Sequence, residues 1–415
     1  MFVWEQTRWA PWTAENIYFV PLAYQRTGPG KALDGGLKFD LTRFNQEYFD
    51  RLRSRVIHAR DRGIYVCIML FNGWSIEKKR PWAELNNPWR GHPFNRSNNA
   101  NNIDGDLNGD GEGPEVHALG NPAVTALQDT YVKKVVNTVN DLDNVLYEIA
   151  NESTSGSVPW QNHMIDLIHS YEATKPKRHP VLFTCAWGHD GSELWMSGAE
   201  AISPGWPYAS ATFVPYRDDP PANNGQKVII NDTDHLWGTG GERAWVWKSF
   251  LRGLNPIYMD PYDEALNPTD YSMVRYTRDD VVRSMGFTRL YSNKINLAAM
   301  IPHNELCSSA YCLVNPGKEY LLYLPSKGHR GLTLLDRFYL HGVAQWLTRP
   351  LGLNGSVTVD LSPVSGSVVV EWFNPRTGEI VAGQVTTGGA RRAFTAPFTG
   401  DAVLYLRVPT PIKEP

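Results

Sequence analysis

The sequence predicts an α/β protein: a (β/α)8-type TIM barrel with one strand too few, followed by a C-terminal antiparallel β-sandwich. Three observations carry this prediction. Up to about residue 300, apolar runs alternate with amphipathic stretches, the pattern of βα units around a parallel sheet. From about Ser309 the pattern changes to short alternating strands separated by hairpin signals. Within the first of these regions, the apolar run Asn144-Val-Leu-Tyr-Glu-Ile-Ala ends abruptly in Asn151-Glu152. That run follows an amphipathic stretch, so a carboxylate is delivered at a strand's C-terminal end, where barrels keep their chemistry.

Taken in order, Phe2-Val-Trp4 is plausible as a strand end, and a helix from Leu41 to Arg62 stops at Gly63. A strand over 64–71 follows, then a long polar loop over 72–120. Val124, Leu127, Val132, Val135, Val136 and Val139 recur at helical spacing within 122–140. After the strand at 144–150 come a helix near 161–174, a strand at 180–184 and a weak strand at 201–203. A strong strand at 227–232, a helix at 242–252, a strand at 256–260 and a helix at 279–297 complete the series. Seven strand candidates result, one short of closure. The expected domains are a barrel over 1–305 and a sandwich over 306–415, with strands at 319–324, 356–361, 368–373 and 402–407. A helical insertion near 333–347 interrupts the sandwich.

With 415 residues the chain has room for one large domain and a smaller one. A net charge of −3 gives no reason to expect a nucleic-acid or membrane partner. Met1-Phe-Val-Trp4 lacks the parts of a secretion signal, so the chain reads as cytoplasmic as it stands, and as secreted or periplasmic if a leader was removed. Four cysteines make no disulfide framework; Cys67 reads as a buried core thiol, and Cys307 and Cys312 are close enough in sequence to bridge. Among 15 Trp, many stand in Gly/Pro/Asn-rich segments: Trp9, Trp12, Trp74, Trp82, Trp89, Trp187, Trp195, Trp206 and Trp237. Rings in such places suit the C–H faces of sugars, so a carbohydrate is the expected partner.

A Glu held beside an amide suits general acid/base work on a glycosidic bond, which requires a second carboxylate opposite. Glu152 supplies the first; the alternative is a helix N-cap cluster, Asn151-Glu-Ser-Thr154. The second is expected where the strand 227–232 discharges into Asp232-Thr-Asp234-His235-Leu-Trp237, although the same cluster reads as a metal or cap site. Asp260 is a weaker third carboxylate. Phe71, Asn72, Trp74, Trp187, His189, Trp206, His235 and Trp237 follow strand ends and are expected to line the cleft.

On these residues the barrel resembles the retaining glycoside hydrolase clan of TIM-barrel enzymes, whose acid/base is the Glu of an Asn-Glu pair ending the fourth strand. The resemblance implies that Glu152 is the acid/base, that Asn151 contacts the sugar 2-hydroxyl, and that the nucleophile falls near Asp232. There the chain departs, since the clan uses Glu; Asp232 and Asp234 both remain candidates. The barrel also starts inside what would be the second strand, at Trp4-Glu5, so its first βα unit is missing. Something must cover that edge, and a homodimer, using the segment 333–347, is the expectation beside an intrachain cover by residues 9–29. The sandwich resembles a module that carries the name collagen-binding domain and follows many bacterial hydrolases. The matching phrases are Tyr320-Leu-Leu-Tyr-Leu-Pro325, Val357-Thr-Val-Asp-Leu361, Trp372-Phe-Asn-Pro-Arg-Thr-Gly378 and Phe394-Thr-Ala-Pro397.

The loop Asp104-Gly-Asp106-Leu-Asn108-Gly109-Asp110-Gly-Glu112-Gly-Pro-Glu115 matches the twelve-residue calcium-loop pattern at positions 1, 3, 5, 6 and 12, without the two helices of an EF-hand; the alternative is an acidic, Gly-rich surface loop that contacts substrate or nothing. A structural Ca2+ held by Asp104, Asp106, Asn108, Asp110 and Glu115 is therefore expected, with no cofactor for catalysis. The function expected is hydrolysis of a β-glycosidic bond by a retaining double displacement. The alternatives are an inactive carbohydrate-binding scaffold and a metal-dependent hydrolase using Asp232, Asp234 and His235.

Overall fold

The computed structural model describes residues 4–11, 17–79, 86–187, 191–205, 215–236, 241–259, 278–326 and 355–409. The chain forms two compact units, built mainly from Met1–Ser203 and Ser210–Pro415. Among the described residues, no helix is long and apolar enough to cross a membrane.

In the first unit, residues 4–11 are irregular, so Trp4 is not part of a strand. An antiparallel ribbon follows, β1 (Tyr24–Gln25) and β2 (Asp40–Phe44). The helix predicted from residue 41 begins later. Asp40 Oδ1 accepts from Thr42 N–H and its hydroxyl, keeping this stretch extended. Helix α1 (Gln46–Arg60) opens only at Asn45, whose side chain caps Glu47 N–H.

Strand β3 (Val66–Asn72) follows, then α2 (Pro122–Val139), which Asn121 caps and Pro122 opens. Next come β4 (Val145–Asn151), α3 (Val158–Glu172), β5 (Val181–Thr184), the short α4 (Ser192–Met196) and β6 (Ala201–Ser203). β3 to β6 pair in parallel in chain order, with Asn72 opposite Asn151. Ile68, Leu70, Tyr147, Ile149, Val181 and Phe183 are fully buried, as strands covered on both faces require. Leu22, Tyr24, Phe39 and Leu41 of the N-terminal ribbon region pack on Ile76, Trp89, Phe94 and Val116. Leu22 and Tyr24 also share a cavity of ≈ 40 Å³ with Glu5 and with Leu70 and Phe71 of β3. Leu22 and Tyr24 thus lie beside the C-terminal end of β3.

The second unit contains α5 (Pro215–Asp218), β7 (Val228–Asp232), α6 (Arg243–Leu251), β8 (Asn255–Ile257) and α7 (Arg278–Lys294). β7 and β8 are parallel, with Asp232 opposite Ile257. Short strands follow: β9 (Ile301–Pro302), β10 (Cys312–Asn315), β11 (Glu319–Leu324), β12 (Ser356–Asp360) and β13 (Ser367–Phe373). The last are β14 (Ile380–Ala382), β15 (Thr386–Thr387), β16 (Arg391–Thr395) and β17 (Ala402–Arg407). The main antiparallel sheet runs β14-β13-β17-β11-β10-β9, with β15 beside β13, while β12 pairs with β16.

That sheet is buried on both faces, and the period of two explains how. Tyr320, Leu322 and Leu324 of β11 join Val357, Val359 and Phe394 in one core. Leu321 and Tyr323 face the other way, against Trp247 of α6 and Tyr291 of α7. At the start of α6, Arg243 donates to Asp401 (2.7 Å) and Asp280 (2.6 Å), and Tyr323 O–H donates to Asp401 at 2.9 Å. Burial alone would make the guanidinium easier to deprotonate; the Asp401 and Asp280 carboxylates outweigh it and raise its pKa.

Two cysteine expectations change. Cys67 is only half-buried, with its thiol 3.8 Å from Glu148 Oε2, because the residue faces a carboxylate and not the apolar core. Cys307 and Cys312 are both buried and both free thiols. The helix expected at 333–347, residues 2–3 and Asp260 lie outside the described residues.

Candidate active site

Glu152 follows the last residue of β4, and its backbone is left-handed, with φ 44°. A non-glycine residue in this region costs on the order of 1–3 kcal/mol and must be held there. Several contacts hold it. Trp74 Nε1–H donates to Glu152 Oε2 at 2.7 Å, and Lys79 Nζ donates to the Glu152 carbonyl at 3.0 Å. Trp187 N–H donates to the Ser153 carbonyl at 2.7 Å. Gly73 permits the close approach: a Cβ there would lie 2.2 Å from the Glu152 carbonyl oxygen. The carboxylate is thus fixed by an indole N–H while its residue stays 8 % exposed.

The other expected residues of this unit divide by exposure. Trp187 is 40 % exposed and lies near Lys79, whose ammonium sits 5.6 Å from the ring centre. Trp74 is half-buried. Asn72 and Asn151 are buried: Asn72 Oδ1 caps Trp74 N–H at 3.1 Å and accepts from Asn151 Nδ2 at 3.4 Å. Phe71 does not line an open cleft. At 2 % exposure it packs edge-on against His117 and Trp160, because alternate residues of a strand point to opposite faces. His189, Trp206 and Trp237 lie outside the described residues.

Beneath Glu152 lies a network that the sequence reading missed. Glu5 Oε1 accepts from Asn72 N–H at 2.7 Å and sits 3.3 Å from His117 Nε2. The His117 contact is electrostatic, since that nitrogen makes no aligned hydrogen bond. His117 Nδ1 lies 2.9 Å from Ser153 Oγ, and its ring stacks on Trp160 with centroids 4.5 Å apart. Glu5 Oε2 lies 3.1 Å from His92 Nε2, and Phe94 N–H donates to His92 Nδ1 at 3.0 Å. The proton of neutral His92 therefore sits on Nε2 and is donated to Glu5. Burial alone would raise the Glu5 carboxyl, but His117 and His92 outweigh it and hold it at about 2. Burial lowers His92 below its ordinary value against the pull of Glu5. The available signal was a Glu at the chain's opening segment and two histidines, His92 and His117, in a loop otherwise rich in Gly and Asn.

In the second unit, β7 ends at Asp232, whose Oδ1 accepts from Asp234 N–H at 3.0 Å. Asn231 points the other way and donates to Ser249 Oγ (2.9 Å) and the Tyr216 carbonyl (3.0 Å). Asp232, Asp234 and His235 are all half-buried, and Thr233 N–H ties the turn to the Ile257 carbonyl at 3.1 Å. The strand end thus presents carboxylates on the face opposite to its helix contacts.

The acidic loop of the first unit is folded on its own side chains. Asp106 accepts from Gly109 N–H (2.7 Å) and Gly111 N–H (2.9 Å), and Asn108 Oδ1 accepts from Asp110 N–H at 2.9 Å. Gly109 has φ 77°, the turn the spacing requires. Burial raises the Glu115 carboxyl, with the Asp110 and Asp106 carboxylates adding to the shift.

Residues 5–188 match the family model described as "Domain of unknown function (DUF6298)". No curated protein matches the chain. The fold is similar to that of a glycoside hydrolase family 5 protein from Bacteroides vulgatus ATCC 8482, at TM-score 0.52 and 12 % identity, covering 87 % of this chain and 74 % of that one. A second protein of that organism, named a "putative glycoside hydrolase", aligns at TM-score 0.54 and 13 % identity, covering 94 % and 69 %. The mixed α/β fold, with parallel strands and antiparallel sheets, is similar to that of these two proteins.

Proposed function

We propose that the protein is a glycoside hydrolase that cleaves a β-glycosidic bond by a retaining double displacement on a TIM-barrel scaffold. The observation that carries the reading is Glu152, a strand-end carboxylate held in a left-handed conformation against an indole N–H. In the first step Glu152 donates its proton to the leaving-group oxygen while a second carboxylate, Asp232 or Asp234, bonds to the anomeric carbon. In the second step Glu152 takes a proton from water, whose oxygen displaces that carboxylate. Trp187, exposed and next in space to Ser153, offers a ring for a sugar face. Asn151 lies beside Asn72 at the end of the paired strands, in keeping with a role near the sugar 2-hydroxyl.

A panel of chromogenic aryl β-glycosides tests the reading. The wild type should hydrolyse at least one, and Glu152→Gln should lose on the order of 100-fold or more in kcat, the size of a general acid's contribution. Sugar binding with no hydrolysis of any member would favour the inactive scaffold. Loss of activity on chelation, restored by metal, would favour the hydrolase using Asp232, Asp234 and His235.

We also propose that the loop from Asp104 to Glu115 binds a structural Ca2+ through Asp104, Asp106, Asn108, Asp110 and Glu115. The sequence spacing and the mutual repulsion at Glu115 support this reading.

A further inference from the structure

We propose that Glu5 is a positioning residue for Glu152, acting through both segments that bracket it. The inference rests on the reading of Glu152 as the acid/base. One oxygen, Glu5 Oε1, meets both segments. It accepts from Asn72 N–H at 2.7 Å, and Asn72 Oδ1 in turn orients the backbone of Trp74, whose indole holds the Glu152 carboxylate. The same oxygen faces His117, which lies 2.9 Å from the hydroxyl of Ser153, the residue after Glu152. The left-handed Glu152 is therefore clamped from its side chain and from its C-terminal neighbour by one largely enclosed charge, whose side chain is 10 % exposed.

That charge is largely withdrawn from water. An ionised carboxylate removed from water needs compensation, and Glu5 receives it from an amide N–H and two imidazoles. His92 holds the second oxygen and keeps the carboxylate from rotating. The His117 branch reaches Glu152 through the Ser153 hydroxyl, and the Asn72 branch reaches it through Trp74. Glu5 thus acts on Glu152 through two intervening residues on each branch, which makes its role one of placement and not of proton transfer.

Glu5→Gln keeps the shape and removes the charge; Ser153→Ala removes only the hydroxyl at the end of the His117 branch and serves if the first variant fails to fold. Two measurements decide. In crystal structures of the variants, Glu152 should leave its left-handed backbone or break its bond to Trp74. On aryl β-glycosides, kcat/KM for the poor leaving group phenol, which reports the first step alone, should fall on the order of 100-fold, the usual consequence of misplacing a catalytic group by about 1 Å. With 2,4-dinitrophenol, which departs without a proton, the loss in kcat/KM should be far smaller. A merely structural role would lower both substrates equally, and that result overturns the proposal. So does an unmoved Glu152 in both variants. If the wild type hydrolyses no glycoside, the glycosidase reading fails, and the crystal structures alone still decide whether Glu5 positions Glu152.

Discussion

At residue scale, the strained Glu152 depends on the absence of a neighbouring side chain. Gly73 follows β3, and a methyl group at its Cβ would meet the Glu152 carbonyl at 2.2 Å. That neighbour is backbone, so it has no rotamer to escape into. Gly73→Ala should lower stability by about 1–3 kcal/mol, the usual cost of overpacking, as measured by urea unfolding, and should reduce turnover with it. An unchanged midpoint and unchanged turnover would show that the turn is looser than described. Asn151-Glu152 was legible because an apolar run that stops at a carboxylate is a one-dimensional signal. Glu5, His92 and His117 were not, because they are 25 to 112 residues apart in sequence and meet only once β3, the polar loop and the opening segment have folded together. Phe71 was misplaced for a simpler reason: it sits one residue from Asn72, and one step along a strand reverses the face.

At element scale, the ends of helices and strands are tied by buried charge. Helix α3 ends in Glu172, which accepts from His179 N–H at 2.7 Å and lies 2.8 Å from His179 Nδ1; His179 Nε2 lies 2.8 Å from the Leu142 carbonyl. Both ring nitrogens thus face acceptors, an arrangement only the imidazolium satisfies fully. Burial alone would lower His179, but Glu172 and the Leu142 carbonyl outweigh it and raise it above its ordinary 6.5. Burial alone would raise Glu172, but His179 outweighs it and lowers it below its ordinary 4.5. The raised His179 stabilises fully below 6.5 and loses that contribution as pH climbs through its folded value. The lowered Glu172 stabilises fully above 4.5 and loses its share as pH falls through its folded value. The extra Tm of wild type over His179→Gln should therefore peak between 4.5 and 6.5 and shrink on both sides. A difference independent of pH would contradict the pairing.

The same scale holds the second unit together. Removing Asp401, 1 % exposed, would leave Arg243 and the Tyr323 hydroxyl short of a partner inside the fold. Asp401→Ala should cost about 3–5 kcal/mol in urea unfolding; a loss below about 1 kcal/mol would mean that Asp280 alone satisfies Arg243. Strand positions at 319–324, 368–373 and 402–407 were legible from their apolar runs. That α6 and α7 cover the sheet's second face was not, because a strand apolar on both faces carries no label for what covers it. Helix α6 shows the same ambiguity, since seven consecutive residues from Arg243 to Ser249 are buried.

For the whole molecule, the calcium loop offers a test that does not depend on catalysis. Added Ca2+ should raise the Tm of chelator-treated protein by mass action, about 2.7 kcal/mol of stabilisation at a hundredfold excess over Kd. An unchanged Tm would remove the site. The central claim is that Glu152 is the acid/base of a retaining glycosidase, and azide rescue tests it most directly. With an activated aryl β-glycoside, Glu152→Ala should turn over slowly, and azide, which needs no general base, should restore turnover and give a β-glycosyl azide detectable by NMR. Wild-type-like turnover by Glu152→Ala, with no azide effect and no azide product, would contradict the account.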